Sequence, residues 1–245
     1  MRYFVTGDTH GGFRRILEFC ENNQTTIEDV MIICGDAGIN YFCDYRDEQL
    51  KKLLATLPIT LFCVHGNHEE RPFNLNYTTK EWNGGLVYWE EQFPNLLFAK
   101  DGEIYNIGGK KAMVIGGAYS VDKHYRLARG LHWFESELPT DEMKNFIWSQ
   151  LAKCDWKIDY IFTHTVPVAY EPTWAFLPGI DQSQVDKTLE VWLQKIVEKL
   201  DFEKWYAGHY HLDCNVGPIR IMMHDYDMLE TEELPEKEKQ NTYYQ

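Results

Sequence analysis

The chain has 245 residues, 44% of them hydrophobic, and a formal net charge of −14. That is enough apolar material for one large core, and an acidic exterior repels a nucleic-acid backbone, so polynucleotide binding is not favoured while a small anionic substrate held by local positive charge is acceptable. The six cysteines (Cys20, Cys34, Cys43, Cys63, Cys154 and Cys214) contain no CxxC pair, which reads as a reduced, cytoplasmic chain. With no apolar leader and no run near the ~18 residues of a membrane span, secretion and membrane insertion are not expected.

In chain order, residues 3–6 read as a strand, and Phe13, Ile16, Leu17 and Cys20 fall at helical spacing. Residues 30–34 form a second strand, Leu50, Leu53, Leu54 and Leu57 a second helix, and residues 59–64 a third buried strand. This β-α-β-α-β order implies a parallel sheet with right-handed crossovers, whose ligand site gathers beyond the carboxyl ends of its strands. Residues 70–95 mix Asn, Gly, Pro and aromatic residues without a clear period and read as an irregular excursion over the site. With residues 119–139, they are expected to shape substrate choice.

Two short runs meet at Gly108-Gly109, a hairpin signal within residues 103–117. After Pro139-Thr140, the spacing of Met143, Phe146, Ile147 and Leu151 predicts a helix. Residues 158–162 form a strand that runs towards His164; Val185, Leu189, Trp192, Ile196 and Leu200 form a helix; residues 205–207 lead into Gly208-His209-Tyr210-His211. Late strands are expected at 213–216 and 220–224. Residues 1–229 read as one domain and residues 230–245, charged and poor in apolar side chains, as a mobile tail.

Several strand ends carry chemistry. Asp8-Thr9-His10 projects two ligand-type side chains to one side of a turn, although an isolated D-x-H is as often a capping Asp followed by a surface His. Gly35-Asp36 places a carboxylate where it can bridge two cations; alone it is an ordinary turn. Gly66-Asn67-His68-Glu69 is more specific, since a neutral Asn oxygen beside His suits a mixed metal site. Gly208-His209-Tyr210-His211 sets two imidazoles at i and i+2 beside a glycine. His164 gains meaning only in this company.

These motifs together resemble the calcineurin-like metallophosphoesterase superfamily, over residues 8–211. The resemblance implies an α/β fold, a four-layer α/β/β/α sandwich with two mixed sheets. It implies two divalent metal ions: Asp8, His10 and His211 on one, Asn67, His164 and His209 on the other, and Asp36 bridging them. His68 would be catalytic rather than a ligand, the general acid that protonates the leaving alkoxide while a metal-bridging hydroxide attacks phosphorus. Residues 116–126 also resemble a stretch of some small bacterial and phage members. One departure stands out: many members carry a second Asp three places after the bridging one, orienting the catalytic His, and here that position is Ile39.

Mixed O and N ligands suit Mn, Fe or Zn, with Mn the first choice. Arg14, Lys123 and Arg126 are candidate phosphate contacts, each otherwise a solvated surface charge. A cysteine phosphatase is excluded because the first Arg after Cys63 stands at position 71, and a P-loop because Ile104 occupies the position of the required first glycine. The expected activity is hydrolysis of a small phosphate monoester or short phosphodiester. The alternatives are a nuclease or cyclic-nucleotide phosphodiesterase of the same superfamily, or a non-catalytic metal-binding scaffold.

Overall fold

The structure is a computed structural model that describes residues 1–232. The chain begins with β1 (Tyr3–Thr6), α1 (Arg14–Asn23), β2 (Val30–Ile33), α2 (Tyr45–Leu54) and β3 (Thr60–Cys63). There follow β4 (Thr78–Trp82), β5 (Gly85–Trp89), β6 (Leu96–Ala99), β7 (Ile104–Ile107), β8 (Lys110–Ile115) and α3 (Lys123–Arg129). The last third holds α4 (Asp141–Lys153), β9 (Tyr160–Thr163), α5 (Thr188–Val197), β10 (Lys204–Ala207), β11 (Cys214–Val216), β12 (Ile219–Ile221) and β13 (Asp227–Met228).

The strands form a seven-stranded sheet in the order β13-β1-β2-β3-β6-β5-β4 and a six-stranded sheet in the order β11-β12-β10-β9-β8-β7. Each has a parallel centre, β1-β2-β3-β6 and β8-β9-β10-β12, flanked by antiparallel edges. Strands β1, β2 and β9 are buried at every position, which is why they read as continuous apolar runs rather than alternating ones.

Alternation within the strands divides their side chains between layers. Val30 and Ile32 of β2 join Phe62, Val114, Phe162 and Tyr206 in the core between the two sheets. Met31 and Ile33 point the other way, to a core closed by Ile16 and Cys20 of α1 and Leu54 of α2. On the far side, Met113, Ile161 and Trp205 pack under Ile147 and Leu151 of α4 and Leu193 and Ile196 of α5. The fold is therefore the four-layer α/β/β/α sandwich with two mixed sheets.

The structure corrects the reading of residues 70–95. They contain the β4–β5 hairpin, which pairs with β6 and extends the first sheet at its edge. Its turn is Asn83-Gly84, both at positive φ (49° and 84°), the conformation that a two-residue I′ hairpin requires. Strands β6 and β13 and helix α3 also have no counterpart in the sequence reading.

The expected tail from residue 230 lies mostly outside the described residues. Those described are held: the Tyr160 hydroxyl donates to the Glu230 carbonyl at 2.7 Å, and the Glu232 N–H to the Gly108 carbonyl at 2.7 Å. All six cysteines are free thiols. Among the described residues no helix is long and apolar enough to cross a membrane.

Phe62 sits at the centre of the inter-sheet core, fully buried, stacked on Trp82 at 4.8 Å between centroids and edge-on to Tyr105 at 5.0 Å. Phe62→Ala is expected to destabilise the chain by about 3–5 kcal/mol through lost transfer energy and the cavity left behind. Urea unfolding would show this as a lower midpoint at an unchanged slope.

Candidate metal centre

The turns that follow β1, β2, β3, β9 and β10 all end at the same seam between the sheets. From the first sheet come Asp8, His10, Asp36, Asn67 and His68; from the second come His164, His209 and His211. Asp8 and Asp36 are almost wholly buried, at 1% exposure each, and His164 is fully buried.

Local backbone is bent to make this possible. His10, Asp36, His209 and His211 all have φ between 47° and 68°, a left-handed conformation that non-glycine residues avoid and that concentrates at functional sites. Glycine is required where chain passes directly against a carboxylate. A Cβ on Gly66 would overlap Asp36 Oδ1, and one on Gly208 would overlap Asp8 Oδ1.

Hydrogen bonds fix the carboxylates in orientation. The His209 N–H donates to Asp8 Oδ1 at 3.0 Å and the His68 N–H to Asp36 Oδ1 at 2.8 Å. The remaining oxygens face imidazoles. Asp8 Oδ2 lies 3.6 Å from His10 Nε2 and 3.4 Å from His211 Nε2, and these two nitrogens stand 2.9 Å apart. Asp36 Oδ2 lies 3.6 Å from His164 Nε2 and 3.8 Å from His10 Nδ1.

Asn67 completes the set: its Oδ1 is 2.9 Å from His164 Nε2 and 3.1 Å from His209 Nδ1, while its Nδ2 donates to Ser120 Oγ at 2.9 Å. His164 Nδ1 donates to the Cys34 carbonyl at 2.8 Å, which in a neutral ring turns the Nε2 lone pair towards these oxygens.

The fit to cations can be tested on these atoms. Asp8 Oδ2 is buried and has no hydrogen-bond partner among the described residues, a costly condition for a carboxylate. Two groups, Asp8-His10-His211 and Asp8-Asp36-His164, bring one ligand atom from each member within 4.8 Å of the others. Lone pairs that converge with few protons between them match divalent metals with mixed N and O ligands.

Without metal, the charges must be balanced by protons. Burial alone would lower the pKa of His164, but the charges of Asp36 and Asp8 raise it to about 9. Burial would raise Asp36, yet His164, with His68 and His10, holds it far below the usual carboxylate range. Burial and the neighbouring His164 lower His209 to about 3.

Glu69, the last residue of its motif, is not a ligand candidate but a brace. It accepts from the Gly66 N–H at 3.0 Å and the Gly38 N–H at 3.1 Å, tying together the turns after β2 and β3. Burial, with the Asp36 charge nearby, pushes it up to about 7.

Ile39, where many members place an Asp, is fully buried in the core under α1 and α2. The neighbours of the His68 ring are instead Arg126, whose Nη2 lies 3.3 Å from Nε2, and Asn67, whose Nδ2 lies 3.3 Å from Nε2 and 3.4 Å from Nδ1. Arg126 is itself anchored on Asp122 Oδ2 at 2.7 Å. Burial and this guanidinium lower the pKa of His68, against the opposing pull of Asp36.

The other candidate cations point elsewhere. Arg14 is 91% exposed in its side chain and pairs with Glu18 one helical turn on. Lys123 Nζ lies 3.9 Å over the Trp133 ring.

Two cavities flank the centre. One, of about 400 Å³, is lined by His10, Tyr41, Phe42, Arg46, His68 and Arg126. The other, of about 240 Å³, is lined by His209, Tyr210 and His211 together with Phe176, Leu177 and Glu190. Its outer wall comes from residues 171–185, a stretch of short 3-10 turns that the sequence reading did not connect with the site. No residue of the β4–β5 hairpin lines either cavity.

A family model described as calcineurin-like phosphoesterase matches residues 1–213. The chain belongs to this family, and membership implies metal-dependent phosphoester hydrolysis. A solved crystal structure matches with a TM-score of 0.50 at 11% identity, covering 94% of this chain and 99% of its own; that likeness speaks to the fold alone. Comparison with curated proteins gave no match.

The raised pKa of His164 predicts how metal-free protein responds to pH. Between about 6.5 and about 9 the folded chain holds a proton on His164 that the unfolded chain has lost. Stability is thus fully present below that window and falls as pH rises through it. Thermal unfolding after chelation should show this decline, and His164→Gln should flatten it. Added Mn should oppose it, because metal binding strengthens as ligands deprotonate.

Proposed function

We propose that the chain hydrolyses small phosphate monoesters or diesters with two divalent ions, manganese foremost. Asp8, His10 and His211 would hold one ion and Asn67, His164 and His209 the other, with the Asp36 carboxylate available to both. The observation that carries this reading is Asp8 Oδ2, unpartnered among the described residues and lying among imidazole nitrogens, an arrangement that a divalent cation satisfies. Such ions supply Lewis-acid charge to a phosphoryl oxygen and a water of lowered pKa.

The remaining work falls to His68 and Arg126. The His68 backbone is pinned to Asp36, so its ring is held beside the reacting group without being a ligand. In the free protein Arg126 donates towards His68 Nε2, which holds that nitrogen as an acceptor. A bound phosphate offers the guanidinium a stronger, charge-assisted partner. Once Arg126 turns to phosphate, Nε2 loses that donor, takes a proton from solvent and delivers it to the leaving oxygen. The guanidinium thus does part of what the absent Asp would do, by controlling which ring nitrogen carries the proton.

Hydrolysis of p-nitrophenyl phosphate and bis(p-nitrophenyl) phosphate by chelated and Mn-reconstituted protein tests the class. Mn should restore turnover on one of them; a reconstituted protein inert to both contradicts the reading. Asp36→Asn should lose metal and activity together. His68→Ala should keep its metal and slow alkyl esters by about 10²–10⁴-fold, but slow p-nitrophenyl esters far less, since that leaving group needs no proton. Equal losses on both would remove the general-acid role.

A further inference from the structure

The cavity on the His209 and His211 side has no part in the chemistry above, yet it is built. The Phe176 and Tyr210 rings lie nearly parallel, 13° apart with centroids at 6.3 Å, and Leu177, Ile180 and Val121 add apolar wall. Glu190 of α5 lines it at 4% exposure. Its Oε1 accepts from the Thr165 hydroxyl at 2.8 Å, while its Oε2 is buried with no partner among the described residues. Lys187 does not fill the need: it pairs with Glu171 at 2.8 Å and lies 4.8 Å from the Phe176 ring centre.

Aromatic faces with one exacting polar group are the mark of a subsite for a planar, hydrogen-bonding ring. A hydrocarbon chain would leave Oε2 unpaired, at the cost a buried polar atom carries. A sugar would satisfy the carboxyl but make little use of the aromatic faces. The volume, about 240 Å³, falls below the ~300–1,000 Å³ of a whole small-molecule site, so it suits one ring system of a larger ligand. Because His209 and His211 line the same cavity, the phosphate of that ligand would lie at the metal centre.

We propose that this cavity is a nucleobase subsite, taking the heterocycle of a nucleoside phosphoester against Phe176 and Tyr210 with a ring N–H donating to Glu190 Oε2. The proposal rests on the phosphoesterase reading and names the substrate class of that site. Bases with a ring N–H, such as thymine and guanine, are preferred over N-methylated counterparts, in which the same contact is blocked.

The test compares esters that release the same p-nitrophenolate: methyl p-nitrophenyl phosphate, the 5′-(p-nitrophenyl) phosphates of thymidine and guanosine, and their N3-methyl and N1-methyl counterparts. On Mn-loaded protein at least one unmethylated nucleoside ester should exceed the methyl ester tenfold or more in kcat/KM, mainly through KM, and N-methylation should abolish most of that gain. Glu190→Gln, which puts a donor where the acceptor was, should erase the discrimination against N-methylation, and Phe176→Ala should raise KM for both nucleoside esters. Nucleoside esters no better than the methyl ester, or N-methylation without effect, would overturn the proposal. If none of these diesters is hydrolysed, p-nitrophenyl phosphate decides whether the phosphoesterase reading itself fails, and calorimetric titration with thymidine and guanosine decides the subsite by itself. Saturable binding weakened by N-methylation supports it, and absence of binding overturns it.

Discussion

The structure is organised around two buried carboxylates whose charge is met by imidazoles drawn from both sheets. Asp8 and Asp36 end adjacent parallel strands, where both are nearly inaccessible to water. Of the groups that face them, His10 comes from their own sheet, while His164, His209 and His211 come from the other. Negative charge from one layer and imidazole nitrogen from the other therefore meet at the seam. A buried charge left unpaired costs several kcal/mol, so this meeting constrains how the two sheets register on each other.

Much of the local architecture follows from that constraint. The turn after β3 must pass against Asp36 and the turn after β10 against Asp8, which is why glycines stand at 66 and 208. Four of the converging residues are held at positive φ, strain of order 1–3 kcal/mol each that surrounding contacts must offset. Glu69 ties the strained turn after β2 to the turn after β3 with hydrogen bonds, and Ser120 fixes the amide of Asn67. In metal-free protein a proton on His164 supplies part of the missing positive charge; bound cations would displace that proton, and their binding energy would add to folding stability.

Legibility in the sequence followed from how each feature is encoded. Strands buried on both faces and helices with one apolar stripe leave periodic signals, so β1, β2, β3, β9 and β10 and helices α1, α2, α4 and α5 could be read before any coordinates. Candidate ligands were legible because each stands just past such a strand. The β4–β5 hairpin was missed even though Asn83-Gly84 is a strong turn signal, because Val87 is the only fully buried side chain in the two strands and the rest are exposed or half-buried without clean alternation. Helix α3 buries no residue and so leaves no apolar stripe to detect. The wall of residues 171–185 is made of aperiodic turns, and the link between Arg126 and His68 joins positions 58 residues apart, which no local pattern reveals. Of the cations singled out for phosphate, composition could not separate Arg126 from Arg14; only tertiary position does.

The central claim is that the seam between the sheets holds two metal ions. Anomalous diffraction from crystals grown with manganese tests it most directly. The account predicts two peaks per chain, one among Asp8, His10 and His211 and one among Asn67, His164 and His209, with Asp36 in contact with both. A single peak, or none at the seam in crystals saturated with manganese, would contradict it.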